Sequence, residues 1–507
     1  MCVGSIGDWL VKRRLKSPEK TALVVSGRAL TYREFADSAD GVATLLTELG
    51  IVKGDRVAIL GNNSAEFLIL MFGVLRIGAV LVPVNVRLAV PEISHVLHDS
   101  GARVLFHDPE FDTKVRTLEL PAVEHVIGLG QGTPGRPGLG RLLVPAPRAA
   151  DGVAGGDDPA VILYTSGTTG RPKGAVLSHA NLTWNSLNCI VDYDITASDV
   201  TLLISPLFHA AALGMGALPA ILKGATLVLE RAFDAPLVLN LIETLGVTMV
   251  SGVPTTFQLL AEHPHWADTD LTSLRTITCG GSAVPSRVLD AFEERGLSFS
   301  QGYGLTETAP GATSLSATMT RVKQGSVGLP HFFADVRVVD EAGDLVPSGI
   351  LGEIQIAGPN VFVGYHNLAE ASAAVFTADG WFRSGDVGYL DEDGYLFIAD
   401  RLKDLIISGG ENIYPAEIEN LLYSMDGVTG AAVVGAQDDR WGEVPVAVLT
   451  VRQGTSITLE AVRAHLQTHL ARYKLPKAVV VVEELPRTAS GKVRKAELRA
   501  RIAEVVS

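Results

Sequence analysis

Short apolar runs recur along the first half of the chain, separated by stretches with helical spacing, and this alternation constrains the fold more than any other feature of the sequence. Arg56-Val57-Ala58-Ile59-Leu60, residues 79–84, Val104-Leu105-Phe106, residues 161–164, residues 226–229 and Met249-Val250 have the length and composition of buried strands. Segments such as 31–49 and 92–99 lie between them with apolar residues on one helical face. Strands alternating with helices predict α/β layers around a mostly parallel sheet. With 507 residues, 47% of them hydrophobic, the chain is long enough for two or more domains with a large buried core.

From Ala334 the texture changes to short strands and turns, DVRVVDEAGDLV, GEIQIAG and GYLFIAD, which predict a β-rich subdomain built from hairpins. Beyond Asp400 a helix over 415–423, strands over 431–435 and 445–451, a helix over 459–469 and a strand over 478–483 predict a small α/β unit. The boundary is expected between Asp400 and Lys403, giving domains of 1–400 and 401–507. Residues 67–82 form the most apolar stretch, but Arg76 and two glycines interrupt it and Pro83 closes it, short of the ~20 residues of a membrane span. A buried helix running into a strand is expected there. Gly130, Gly132 and Gly135 spell GxGxxG, yet Pro134 and Pro137 oppose the helix that a dinucleotide fingerprint requires.

A net charge of −14 argues against a general nucleic-acid binder. Cys2, Cys189 and Cys279 are too few and too scattered for a disulfide framework or a Cys-rich zinc site. The first residues lack the sustained apolar region of a secretory signal, so the expected compartment is the cytoplasm.

The chemistry is concentrated in loops. YTSGTTGRPKG, residues 164–174, follows an apolar strand and combines bare backbone with the hydroxyls of Thr165, Ser166, Thr168 and Thr169 and the cation of Lys173. Such a loop turns several N–H groups toward one anion, and phosphate oxygens are its natural ligand. GxxxxGK[ST] does not align here, because Lys173 follows Pro172 and precedes Gly174. In QGYGLTET, residues 301–308, Tyr303 offers a ring to stack on a base, and Glu307 a carboxylate for a phosphate-bound Mg²⁺. GWFRSGDVG at 380–388 places Asp386 in a turn where a carboxylate can accept from both ribose hydroxyls. DRLKDLIISGGENIYPAEIE at 400–419 and LPRTASGKVRK at 485–495 complete the set.

In this order the clusters resemble the adenylate-forming superfamily of acyl-CoA synthetases, aryl-CoA ligases, firefly luciferase and the adenylation domains of non-ribosomal peptide synthetases. The resemblance covers essentially the whole chain and implies an acetyl-CoA synthetase-like fold with a small mobile C-terminal domain. It implies that Thr165, Ser166, Gly167, Thr168, Thr169, Gly170 and Lys173 grip the ATP phosphates. Gly281, Ser282, Ala283, Gly302, Tyr303 and Gly304 would form the adenine slot, with Thr306 at the α-phosphate and Glu307 at Mg²⁺. Asp386 and Arg401 would hold the ribose, and Lys492 would bridge the carboxylate and the α-phosphate. Lys403 matches the hinge position, and Gly409, Gly410, Glu411 and Trp441 are the expected coenzyme A residues.

The acyl pocket is expected to begin at PLFHAAALGMG, residues 206–216, with His209 gating the carboxylate and Ala211 and Gly214 leaving space. A plant coumarate ligase that resembles this segment carries Tyr where Ala211 stands, so a planar phenolic acid is not specially favoured. An amino acid would call for an Asp in this stretch and a dicarboxylate for an Arg. Neither is present, which leaves an apolar fatty, aryl or alicyclic acid. Free coenzyme A is the favoured thiol; a separate carrier protein is the alternative acceptor, and a non-catalytic nucleotide sensor is a reading from another class. The expected partners are thus ATP, coenzyme A and the acid, with Mg²⁺ as cofactor and a homodimer compatible with the same reading. Neither nucleic acid nor a membrane span is expected.

Overall fold

The computed structural model describes residues 4–130, 132–133, 136–137, 139, 154–165, 172–281, 284–401, 404–408, 411–438, 441–487 and 493–506. The chain divides into two compact units, one of residues 1–336 and 356–382, the other of 337–355 and 383–507.

In the first unit, one sheet runs in the order Gly364–Tyr365, Lys173–Ser178, Pro159–Thr165, Val80–Pro83, Arg56–Leu60, Val104–His107, His125–Gly128. The last five strands are parallel, as the βα alternation requires. A second sheet has a parallel core of Phe299–Tyr303, Thr276–Gly280, Met249–Gly252, Val200–Leu203, Thr226–Leu229 and Thr21–Val25. All six strands expected from apolar runs fall in these sheets within a residue or two of their expected ends, 161–164 being extended on both sides to Pro159–Thr165. Gly132–Thr133 pairs antiparallel with Arg136–Pro137.

The apolar stretch 67–82 becomes the helix Ala65–Arg76 and the strand Val80–Pro83. From Phe67 to Arg76 every residue of the helix is buried. Arg76 is accommodated because its guanidinium donates to Asp8 at 2.5 Å and to Asp40 at 3.2 Å, so the buried charge is paired. Gly73 has a packing reason: a Cβ there would lie 2.5 Å from Val42 on the neighbouring helix Tyr32–Glu48. That helix starts at a capping box in which Thr31 accepts from the Glu34 N–H and Glu34 from the Thr31 N–H. No helix among the described residues is long and apolar enough to cross a membrane.

In the second unit, Phe382–Leu390 and Leu396–Arg401 form an antiparallel pair. A separate sheet holds Glu411–Ile413, Ile406–Ser408, Gly442–Val451 and Val428–Asp438, with Ala478–Val481 parallel to Gly442–Val451. Helices Pro415–Tyr423 and Leu459–Leu466 supply Ile418, Leu422, Val462 and Leu466 to one core, and Lys495–Val506 supplies Leu498 and Ile502 to another. The hairpin residues 383–400 group with this tail, so the boundary expected from the sequence at 400–403 lies inside the second unit.

His179 couples this framework to pH. Its ring is buried and its Nδ1 accepts the Ile6 N–H at 3.2 Å, and burial pushes its pKa down to about 4. The folded protein therefore resists protonation of this ring. Its contribution is whole above the free imidazole value near 6.5 and is lost as the pH falls toward 4, by roughly 2 kcal/mol between pH 6.5 and 5. In His179→Asn the pH dependence of the unfolding free energy over that window should flatten by about this amount; an unchanged slope in denaturant titrations counts against the assignment.

Candidate active site

The apolar strand Pro159–Thr165 turns back as an antiparallel hairpin into Lys173–Ser178, with Lys173 opposite Thr165. Residues Ser166, Gly167, Thr168, Thr169 and Gly170 between them lie outside the described residues. The hairpin sets Lys173 beside a residue that no motif in the sequence marked. Ala175 pairs with Tyr365, and the Lys173 Nζ stands 5.3 Å from the centre of the Tyr365 ring. The Tyr365 hydroxyl donates to Glu307 Oε1 at 2.8 Å. Burial first, and then the Glu307 carboxylate, raises the Tyr365 pKa far above the ordinary phenol value, so the hydroxyl remains a donor. Lys173, Tyr365 and Glu307 thus form one chain of contacts at the end of the hairpin.

Glu307 lies in the short helical turn Thr306–Thr308, just past the C-terminal end of Phe299–Tyr303. In that strand Gly302 is opposite Gly280 of the parallel neighbour, which brings Gly281 and Tyr303 together where the two strands end. The C-terminal edge of a parallel sheet is the usual place for a ligand, because loops leave it in diverging directions. Gly281 has φ +87°, a conformation open to glycine; Ser282 and Ala283 lie outside the described residues. Gly304 is held to glycine by contact: a Cβ there would meet the Pro310 carbonyl oxygen at 1.7 Å. Thr308 closes the turn, its hydroxyl donating to Pro310 O and accepting the Leu305 N–H.

A buried amide network fixes this loop. Asn360 donates to Thr308 O at 2.9 Å and to Gly311 O at 2.6 Å, and the Phe362 N–H donates to Glu307 O. Asn181, on the helix His179–Asp192, donates to Pro359 O and Val361 O, while Asn185 donates to Gly214 O and accepts from the Gly311 N–H. Asn181 and Asn185 are bonded through both oxygen and nitrogen and Asn360 through its nitrogen, and together they leave the Glu307 turn little freedom. The sequence carries a signal for them that motif reading passed over: Asn181, Asn185, Asn188 and Asp192 repeat at helical spacing within a well-capped segment.

In the acyl segment His209 is half-buried, its ring 4.8 Å from that of Phe208, and Ala211 is exposed. The following residues Ala212–Ala217 form a π-helical turn, an irregularity frequent at functional sites. The space expected at Gly214 is filled by protein. A Cβ there would lie 2.3 Å from Ala309 O, so the missing side chain lets the π-turn approach the 309–311 loop rather than opening room for a ligand. Gly216 faces Leu203 in the same way, at 2.5 Å.

Within the second unit, register places Asp386 directly opposite Arg401. Asp386 is buried. Ser408 pairs with Glu411 on one side and with Gly442 on the other, so Glu411 and Trp441 come within three adjacent strands of each other. Trp441 is 41% exposed, more than an indole serving only as core. Lys403, Gly409, Gly410 and Lys492 lie outside the described residues.

A family model described as AMP-binding enzyme matches residues 11–366, and one described as AMP-binding enzyme C-terminal domain matches residues 417–492. The chain belongs to the AMP-binding enzymes. Feruloyl-CoA synthase of an Amycolatopsis species is 48% identical to this AMP-binding enzyme over 98% of the chain and 99% of the relative. Indoleacetate–CoA ligase of Aromatoleum aromaticum is 40% identical over 98% of each. Among solved structures, ATP-bound MatB from Rhodopseudomonas palustris matches with a TM-score of 0.92 at 32% identity, covering 100% of both chains. The likeness extends over both units of this AMP-binding enzyme and bears out the acetyl-CoA synthetase-like fold expected from its motifs.

Proposed function

We propose that this AMP-binding enzyme is an ATP-dependent carboxylic acid:CoA ligase, forming an acyl adenylate and then an acyl-CoA, and that its acid carries an aromatic ring. The observation that carries the reading is the near-full-length likeness to two CoA ligases, named for feruloyl and indoleacetate groups. Of the fatty, aryl and alicyclic acids that the sequence allows, both names favour the aryl class.

A carboxylate resists nucleophiles because of its charge, so it is first activated. Its oxygen attacks the α-phosphorus of ATP, the bond from that phosphorus to pyrophosphate breaks, and an acyl adenylate forms. Lys173 supports the phosphates from the hairpin, Tyr303 and Gly281 flank the base, Thr306 donates to the α-phosphate, and Lys492 meets the two anions as they approach. In the second step a thiolate attacks the acyl carbonyl and AMP leaves. Rotation at Lys403 would exchange Lys492 for the Glu411 and Trp441 face between the two steps.

The residues fit Mg²⁺ as a phosphate-bound ion. Glu307 is mostly buried with one oxygen held by Tyr365, a lone carboxylate is the usual protein share for Mg²⁺, and no cluster of three acidic, His or Cys ligands occurs among the described residues. Bound there, the ion would neutralise part of the triphosphate charge. Tyr365→Phe removes the hydroxyl that holds Glu307, and losing a bond to a buried charged group costs ~1–3 kcal/mol. The Mg²⁺ concentration for half-maximal adenylation should rise severalfold, with the acid KM little changed; equal shifts in both would assign Tyr365 to the fold alone.

The ligase reading is tested by pyrophosphate release over a panel of aryl, fatty and alicyclic acids, with and without coenzyme A. Acid-dependent release followed by acyl-CoA formation is expected. Acyl-AMP accumulating in the presence of coenzyme A would move the reading to a carrier-protein ligase, and ATP binding without turnover to a sensor.

A further inference from the structure

The helix Val90–Ser100 meets the phosphate hairpin at both of its limbs, through two side chains four residues apart and therefore on one helical face. At the entering strand, the Tyr164 hydroxyl donates to Asp99 Oδ2 at 2.6 Å. At the returning strand, His95 Nε2 donates to Pro172 O at 3.2 Å, since a carbonyl oxygen can only accept. Neither His95 nor Asp99 belongs to a motif that the sequence marked.

This helix is a firm reference for the two limbs. Ile93, Val96 and Leu97 are buried in the same apolar core as Ala58, Leu60, Val80 and Val82 of the parallel sheet. Arg56, at the start of Arg56–Leu60, donates to Ser100 O at 2.7 Å and to Gly101 O at 3.0 Å, which satisfies carbonyls left open at the helix end. His95 and Asp99 thus belong to an element whose apolar face and C-terminus are both held.

The hairpin is also closed across its own width. Tyr164 and Gly174 are register partners, and a Cβ on Gly174 would lie 2.7 Å from Ile162 Cγ2 and 3.1 Å from Tyr164 Cζ. The Tyr164 ring therefore lies over the returning strand, and glycine at 174 gives it room to reach Asp99. Burial first, and then the bond to Asp99, raises the Tyr164 pKa far above the ordinary phenol value, so its hydroxyl remains a donor. The Gly174 carbonyl accepts from the His366 N–H at 2.7 Å, and Asn367 donates to Asp99 O at 3.1 Å. The segment that begins with Tyr365 thereby touches the hairpin and the helix together.

Pro172 immediately precedes Lys173, so the bond from His95 fixes the peptide from which the hairpin's cation starts. We propose that His95 is a positioning residue for the ATP triphosphate: with the Asp99–Tyr164 pair it sets the two ends of the phosphate hairpin, and Lys173 with them, where the outer phosphates bind. The inference rests on the nucleotide half of the ligase reading and deepens it. Its effect is confined to those phosphates, because the residues expected at the base and ribose, Tyr303, Asp386 and Arg401, lie on other strands.

The test compares equilibrium dissociation constants for Mg²⁺–ATP and for AMP, measured without acid, in the wild type, His95→Ala, His95→Gln and Tyr164→Phe. His95→Ala should weaken ATP by about 3- to 10-fold and AMP by less than about twofold, as expected for one hydrogen bond lost beside the outer phosphates. His95→Gln, whose amide offers an N–H to the same carbonyl, should bring ATP affinity back to within about twofold of the wild type. Tyr164→Phe should show the same selective loss as His95→Ala. His98→Ala, at an exposed position of the same helix, is the control and should bind both nucleotides as the wild type does. Unchanged ATP affinity in His95→Ala, ATP and AMP weakened alike, or a loss that His95→Gln shares would each overturn the proposal. Where His95→Ala fails to fold, the ATP-to-AMP comparison in Tyr164→Phe decides in the same way. If no acid supports pyrophosphate release, the ligase reading falls while the binding comparison still stands, so the two failures are separate.

Discussion

Lys492→Ala is expected to slow acid-dependent pyrophosphate release by about 10²- to 10³-fold, the usual effect of deleting one preorganised charge at a reacting centre. A carboxylate and a triphosphate repel each other, and the attacking oxygen must come to the α-phosphorus against that repulsion. In the proposed mechanism Lys173 would serve the phosphates and Glu307 their cation, and neither would relieve the charge of the acid itself. In that mechanism the task would fall to Lys492 of the SGKVRK segment. The second half-reaction begins from the neutral acyl carbonyl of the adenylate and needs no such cation, so acyl-CoA formation from preformed acyl-AMP should persist in the variant. Single-turnover measurements of the two steps check this directly. Unimpaired pyrophosphate release in Lys492→Ala would remove the residue from the mechanism, and equal loss in both steps would point to a folding defect.

The second large effect is expected from Gly304→Ala, a change of one methyl group. The new carbon would lie 1.7 Å from Pro310 O, 2.8 Å from Pro310 C and 3.0 Å from Ala312 N, all backbone atoms that no rotamer change can move aside. The 304–312 turn would have to open, breaking the Thr308 hydroxyl bond to Pro310 O and displacing Thr306 and Glu307. Overpacking of this kind costs ~1–3 kcal/mol, enough to lower the melting temperature by about 1–3 °C. The loss of adenylation should be larger than the stability change implies, at least about 10²-fold, because catalytic groups displaced by ~1 Å lose most of their effect. Gly155→Ala is the control, since its nearest neighbour, Asp158 Oδ2, would be 3.6 Å away. Normal adenylation by Gly304→Ala, measured with the melting temperature alongside, would show that the turn does not position the site.

Much of the fold was legible because it depends on local pattern. The runs 56–60 and 226–229 are the strands Arg56–Leu60 and Thr226–Leu229, and 415–423 is the helix Pro415–Tyr423, since apolar periodicity and Pro at a helix start act through neighbouring residues. The return of the phosphate loop as an antiparallel hairpin was less legible: Lys173–Ser178 is a mixed run whose strand character comes from pairing with Pro159–Thr165 and Gly364–Tyr365. The C-terminal strands were read short, as 431–435 and 445–451, because their outer residues are held by a long two-stranded ladder from Val428 to Asp438 rather than by apolar content.

By itself, the sequence determined the α/β class, the order of the chemical motifs and the membership of an AMP-binding family, because spacing along the chain is enough to specify each. Tertiary structure alone decided that Tyr365 holds Glu307 from 58 residues away, that Gly214 serves close packing rather than substrate room, and that His95 reaches the carbonyl of Pro172. Those facts depend on which distant backbone segments meet. Whether a glycine is a hollow or a contact, and which carbonyl an imidazole meets, is settled by neighbours that the linear order does not name.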